Sequence, residues 1–122
     1  MIESLRALLL DYSQAGDSQG RKGVEKKIWE QYGVERTVLV VDMSGFSVLT
    51  RRHGLVHYLS MVRRMQEIVR PIIHDHAGSI VKFEADNAFA IFPDPERGLR
   101  AAIDMHEACR EDNRDYPDDY DI

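Results

Sequence analysis

The sequence predicts a mixed α+β domain carrying a helical appendage at its front. Three observations support this. An apolar, β-branched run at 38–41 ends abruptly in Asp42, as a buried strand does. Apolar residues then recur at three- and four-residue spacing over 55–73, the mark of a long core-facing helix. Two short β-prone runs at 79–83 and 88–92 flank a compact polar turn, which is a hairpin signal. In chain order these give strand, helices, hairpin, helix, and no internal repeat is visible.

At 122 residues the chain has room for one domain with a modest core. Its net charge of -5 argues against a general affinity for nucleic acid or anionic membrane. Cys109 stands alone, so no intrachain disulfide can form, and a reducing cytoplasm is the expected setting. Leu8-Leu9-Leu10 is followed at once by Asp11, too short a string for a signal peptide or a membrane span.

At the front, Ile2, Leu5, Leu8, Leu9 and Tyr12 make a helical stripe that needs a partner surface. Residues 13–23, with Gly16, Gly20 and Gly23 among polar neighbours, read as a flexible joint. Val24, Ile28, Trp29 and Tyr32 form a second helical face that stops at Gly33. Residues 1–34 are therefore expected to be an appendage, a packing or contact arm, and 35–122 the domain proper.

The strand at 38–41 is expected to be buried on both faces. Gly45 lets main chain come close to a ligand, and 46–50 can open a helix whose free N–H groups face the same spot. Arg51 to Gly54 interrupt the pattern before the long helix carrying Leu55, Tyr58, Leu59, Val62, Met65, Val69, Ile72 and Ile73. Pro71 inside it predicts a kink or boundary near Val69. Gly78 is expected to take a left-handed turn. Asp94-Pro95-Glu96 then supplies an N-cap, a first-turn proline and a first-turn acid. The following helix should carry Leu99, Ala102, Ile103, His106 and Cys109 or Arg110 on one side. Residues 111–121 are expected to be loop, with Tyr120 to Ile122 entering another strand.

Two carboxylates carry the candidate chemistry: Asp42 at a strand end and Asp86 in the hairpin turn. If the first strand pairs beside the hairpin, both reach one crevice. Such hard oxygen ligands suit Mg²⁺ or Mn²⁺. On pattern alone, a helix cap and a turn former explain the same residues.

Asp42-Met43-Ser44-Gly45-Phe46-Ser47, followed by Gly78-Ser79-Ile80-Val81-Lys82-Phe83-Glu84-Ala85-Asp86 and Ala88-Phe89-Ala90-Ile91-Phe92, resembles the catalytic domain of class III nucleotidyl cyclases. The match runs in register from about Arg36 to Ala108. The resemblance implies a ferredoxin-like, palm-type domain that converts ATP to cyclic AMP and pyrophosphate for intracellular signalling. It implies that Asp42 and Asp86 bind two divalent ions, with the Met43 carbonyl as a further ligand. Gly45, Phe46 and Ser47 would offer N–H groups to the β- and γ-phosphates. Lys82 falls where the family selects its purine, and Lys there is similar to the ATP-using members. One ion would activate the ribose 3′-hydroxyl and the other would neutralise the departing pyrophosphate. The family builds each site from two chains, so a homodimer is implied for the intact protein.

The chain departs from the pattern in places. Ala85 stands where the family has Gly, harmless only at negative φ. Ser47 replaces a common Thr, and Glu84 adds a carboxylate that reads as a solvated turn residue. The family continues through further strands bearing a second base-selecting residue, an Asn and an Arg, so a truncated, inactive half-domain is expected here. The alternative is a non-catalytic cyclase-like module for nucleotide binding or dimerisation. A receiver-type domain phosphorylated on Asp42 is disfavoured by element order, and no GGDEF-like turn supports a diguanylate cyclase.

Other residues attract less. His74 and His76 lie on different helix faces without a Cys pair, and His53, His57 and His106 read as surface or edge residues. Arg51, Arg52, Arg63, Arg64 and Arg70 read as solvated helix faces. Residues 112–115 lack the central Gly and closing Glu of a calcium loop. Incubating the chain with ATP and Mn²⁺ should give no cyclic AMP above that from a double Asp42→Ala, Asp86→Ala control; appreciable product would refute the expected inactivity.

Overall fold

A computed structural model describes residues 3–122, apart from the side chains of Phe46 and Asp119. Its contacts divide the chain into two units, Met1–Glu35 and Arg36–Ile122.

The first unit is a pair of packed helices, α1 (Leu5–Gln14) and α2 (Ser18–Tyr32). Ser4 caps α1 by accepting from the Ala7 N–H at 3.1 Å, and Leu8 is its fully buried side chain. The predicted flexible joint at 13–23 is mostly helix. Asp17 Oδ1 accepts from the Gly20 N–H at 2.6 Å, so an N-cap starts α2 inside the glycine-bearing stretch. Ile2, assigned to the first helix from its spacing, lies outside the described residues. Gly33 ends α2 as expected, with its N–H donated to the Trp29 carbonyl at 2.9 Å.

The second unit is a three-stranded antiparallel sheet with helices against one face. Strand β1 (Thr37–Asp42) leads into α3 (Phe46–His53) and α4 (Leu55–Asp75). Strands β2 (Ser79–Glu84) and β3 (Asn87–Phe92) form the hairpin, and α5 (Pro95–Asn113) follows. The sheet order is β1-β3-β2, so the hairpin's second strand sits in the middle. Ala88, Ala90 and Phe92 of β3 point into the core against Met61, Met65, Val69 and Ile73 of α4 and Ala101 and Met105 of α5.

Several expectations need correction. β1 is not buried on both faces: it is an edge strand, and Val38 and Val40 remain 65% and 52% exposed on the side away from the helices. α4 runs unbroken past Pro71, which lies on its exposed outer side while Val69 and Ile73 hold the inner side to the core. The break before α4 narrows to Gly54, at φ 89, because Arg51, Arg52 and His53 continue α3. Leu55 and Leu59 are exposed, and His57, expected at the surface, is buried. The inner face of α5 is Gly98, Ala101 and Met105; Leu99 and Ile103 point outward. Small residues win there because a Cβ on Gly98 would sit 3.0 Å from Thr37 Cγ2. α5 also runs through Asn113, and residues 118–120 form a short 3₁₀ turn, so no further strand forms among the described residues.

At the turn after α4, Ala77 takes the left-handed conformation at φ 60. Gly78 serves a different need, since a Cβ there would lie 2.5 Å from the buried Phe92 ring. Ala85 in the hairpin turn is also left-handed, at φ 51, so the condition of negative φ is not met. A non-glycine residue there costs about 1–2 kcal/mol, against about 0.5–1 kcal/mol of extra chain entropy for glycine. Ala85→Gly should therefore raise stability by about 0.5–1 kcal/mol in urea denaturation, while Gly78→Ala should lower the midpoint clearly by displacing the Phe92 ring.

Candidate nucleotide and metal site

The site is built at one end of the β1–β3 ladder. Asp42 stands opposite Asn87 in register, and the Met43 N–H donates to the Asp86 carbonyl at 3.3 Å. Asp42 and Asp86, far apart in sequence, are thus each one residue from the other's cross-strand neighbour, on strands about 5 Å apart across an antiparallel pair. In a regular pleat, Asp42 shares the open sheet face with Asn87, while Met43 turns into the core. Asp86 lies in the turn beyond the last ladder pair, where the left-handed Ala85 redirects the chain.

The Tyr58 hydroxyl is pushed above its ordinary pKa, first by burial and then by the negative charge of Asp86. Both effects disfavour the phenolate. Stability should therefore fall as pH rises above the unfolded tyrosine's value, until Tyr58 itself ionises in the folded chain.

Beyond Asp42, Gly45 adopts φ 79 and opens α3, whose N-terminus has no side-chain cap. The first N–H groups of any helix lack intrahelical acceptors, and those at 46 and 47 belong to this first turn. Leu39, Val41, Asp42, Met43 and Ser44 line one wall of a cavity of about 610 Å³ that runs between the β1 edge and α5.

Lys82 lies elsewhere. It is opposite Phe89 on β2, the far strand of the sheet, with its ammonium 5.2 Å from that ring and 2.8 Å from Glu84 Oε2. Two interstrand spacings separate it from the β1 line, about 10 Å. Glu84 is thus an ion-pair partner of Lys82, and that hydrogen bond and charge hold its carboxyl below the usual range. The His53 and His57 rings lie with centroids 4.6 Å apart. His76 pairs with Asp104 at 2.7 Å, Arg63 with Glu67 at 2.7 Å, and the Arg70 guanidinium lies 5.2 Å over Phe83.

Among the described residues no group of three or more His, Cys, Asp or Glu side chains converges to hold a metal by itself. No helix there is long and apolar enough to cross a membrane. Sequence reading did not single out Tyr58 as a neighbour of Asp86. It lies on the core-facing stripe, and only the packing of α4 beside the hairpin gives it that role.

The chain has a cyclase-like fold. It superimposes on a bacterial light-regulated adenylyl cyclase with a TM-score of 0.60 over 93% of this chain and 37% of that one, at 20% identity. By sequence it is 26% identical over 82 residues to putative adenylate cyclase 3 of Rhizobium meliloti (strain 1021). It is also 23% identical over 82 residues to the serine/threonine-protein kinase pkn2 of Myxococcus xanthus. Both matches cover 67% of this chain, which spans only 14% and 10% of those two proteins. No family model matches the chain.

Replacing Asp86 with Asn should lower the Tyr58 pKa toward, but not to, its ordinary value, because burial remains. Tyrosinate absorbance in a titration of the variant against the parent chain measures the change; an unmoved Tyr58 would separate the two residues.

Proposed function

We propose that residues 36–122 belong to a nucleotide cyclase domain of the class III type, one that takes ATP and forms cyclic AMP. The observation that carries this reading is the adjacency of Asp42 and Asp86 at one end of the β1–β3 ladder, locked by the Met43–Asp86 backbone bond. The fold likeness and the weak sequence match to adenylate cyclases support it.

In this reading the carboxylates of Asp42 and Asp86 and the Met43 carbonyl hold Mg²⁺ or Mn²⁺. The donor set fits: Mg²⁺ accepts one or two protein carboxylates and completes its shell with phosphates and water, so no third acidic residue is needed. When bound, such ions supply charge neutralisation at the triphosphate and a more acidic ribose hydroxyl. Gly45, Phe46 and Ser47 direct N–H groups to the phosphates, and the uncapped start of α3 has those donors to give. Lys82 recognises the purine. Its place on the far strand suits a site completed by a second chain, in which Lys82 of one copy serves Asp42 and Asp86 of the other. A homodimer of the intact protein follows from the same reading.

A second reading, a cyclase-like binding module without turnover, draws on the left-handed Ala85 beside Asp86, a conformation that glycine takes without the strain a Cβ brings.

A fluorescent ATP analogue should bind in the presence of Mn²⁺, and Asp42→Ala or Asp86→Asn should weaken that binding by at least about tenfold, a loss of about 1.4 kcal/mol. Far-UV circular dichroism verifies that the variants fold. Equal affinity for the parent and both variants would remove the carboxylates from the site.

A further inference from the structure

Lys82 and Glu84 stand two residues apart on β2, so both project from the same face of the strand. Phe83 between them packs toward the core, which puts the pair on the open side of the sheet. The register agrees: Lys82 is opposite Phe89 and Glu84 opposite Asn87, and Asn87 is in turn opposite Asp42. The Lys82 ammonium lies 2.8 Å from Glu84 Oε2 and 5.2 Å from the centre of the Phe89 ring. Both charged side chains keep more than half of their surface in water, at 55% and 63% exposed.

An exposed pair of this kind adds little to stability, about 0–1 kcal/mol. What it does fix is the end of a long, flexible side chain, because the carboxylate and the ring together hold the ammonium in one place. The pair also leaves hydrogen-bonding capacity unspent. An ammonium has three N–H donors and no acceptor, and an ionised carboxylate has two accepting oxygens and no donor. Their contact engages one donor of Lys82 and one oxygen of Glu84, so each retains more to offer. The Lys82 hydrogen bond and charge hold the Glu84 carboxyl below its usual range and thus ionised, so the two cannot exchange roles. A donor beside an acceptor complements an edge that carries an acceptor and a donor on neighbouring atoms. Adenine has such an edge in N1 and its 6-amino group.

We infer that Lys82 and Glu84 read the purine as one unit, Lys82 donating to N1 and Glu84 accepting from the 6-amino group, which makes Glu84 a specificity-determining residue of the nucleotide site. This rests on the nucleotide reading of the domain, in which Lys82 recognises the purine; what the ion pair adds is Glu84. Adenine docks across the pair without parting it. Guanine in the same pose sets its O6 acceptor against the carboxylate, and a purine with no 6-amino group leaves that carboxylate without a donor.

Displacement of the fluorescent ATP analogue from the full chain in Mn²⁺ measures its affinity for unlabelled triphosphates. ATP should bind about tenfold more tightly than purine riboside triphosphate, which lacks the 6-amino group. Glu84→Ala should weaken ATP about tenfold and leave the deamino compound unchanged within about twofold, so that the discrimination disappears. Glu84→Gln, which retains an accepting oxygen, should fall between, and it carries the test alone should Glu84→Ala fail to fold by circular dichroism. Equal weakening of both triphosphates would make Glu84 a support for Lys82 and not a reader, and tighter ATP binding in the variant would make it a competitor for the ammonium. Either result, or no change, overturns the inference. If the parent chain binds ATP with the expected loss in Asp42→Ala yet shows none of this discrimination, the nucleotide site stands and Glu84 leaves it; a parent chain that binds neither triphosphate overturns both.

Discussion

The β1–β3 ladder is the constraint on which the rest of this structure depends. Its register pairs Thr37 with Phe92 at one end and Asp42 with Asn87 at the other. Because side chains alternate along a strand, that register also decides which of them enter the core. Leu39 and Val41 join Ala88, Ala90 and Phe92 under the helices, while Asp42 turns to the open face. A slip of one residue would bury Asp42 and expose Leu39 and Val41, an exchange costly enough to exclude. The same register delivers the Asp86 backbone to Met43. Core packing and site assembly are therefore one event.

Small residues let the helices come close enough to maintain it. Gly78 and Gly98 both approach the Phe92 ring, and Thr37 packs on Gly98. The fully buried ring is held between the turn after α4 and the start of α5. Phe92 contributes about 1.5–3 kcal/mol by leaving water, and its position determines where both helices cross the sheet. Strain is tolerated nearby, at Ala77 and Ala85, because the flanking elements over-determine those turns.

The periphery follows a different logic. Near the end of α5, Arg64 gathers a carboxylate from the last turn of that helix, and a carbonyl and an aromatic ring from residues beyond it that have no regular ladder. Hydrogen bonds to a charged, largely desolvated group contribute more than neutral ones, about 1.5–3 kcal/mol each. A few such contacts can hold a segment against a helix without making it part of the core.

Local chemistry made much of this legible. The run at 38–41 closing on Asp42, the polar hairpin turn and the Asp94-Pro95-Glu96 cap each act over a few residues, and each element stands where those signals lie. Asp17, a cap just as local, was hidden by the glycines around it. Tertiary structure decided what local signals cannot encode. It chose the inner face of α5, because Gly98 rather than Leu99 fits beside Thr37 and Phe92. It left one face of β1 uncovered within the unit Arg36–Ile122, because the helices of that unit pack on the other face. It carried α5 to Asn113 through Arg64, which lies 48 residues from Asp112. Periodicity specifies which residues form an element; which side of it meets a neighbour depends on shapes and charges that only the folded chain brings together.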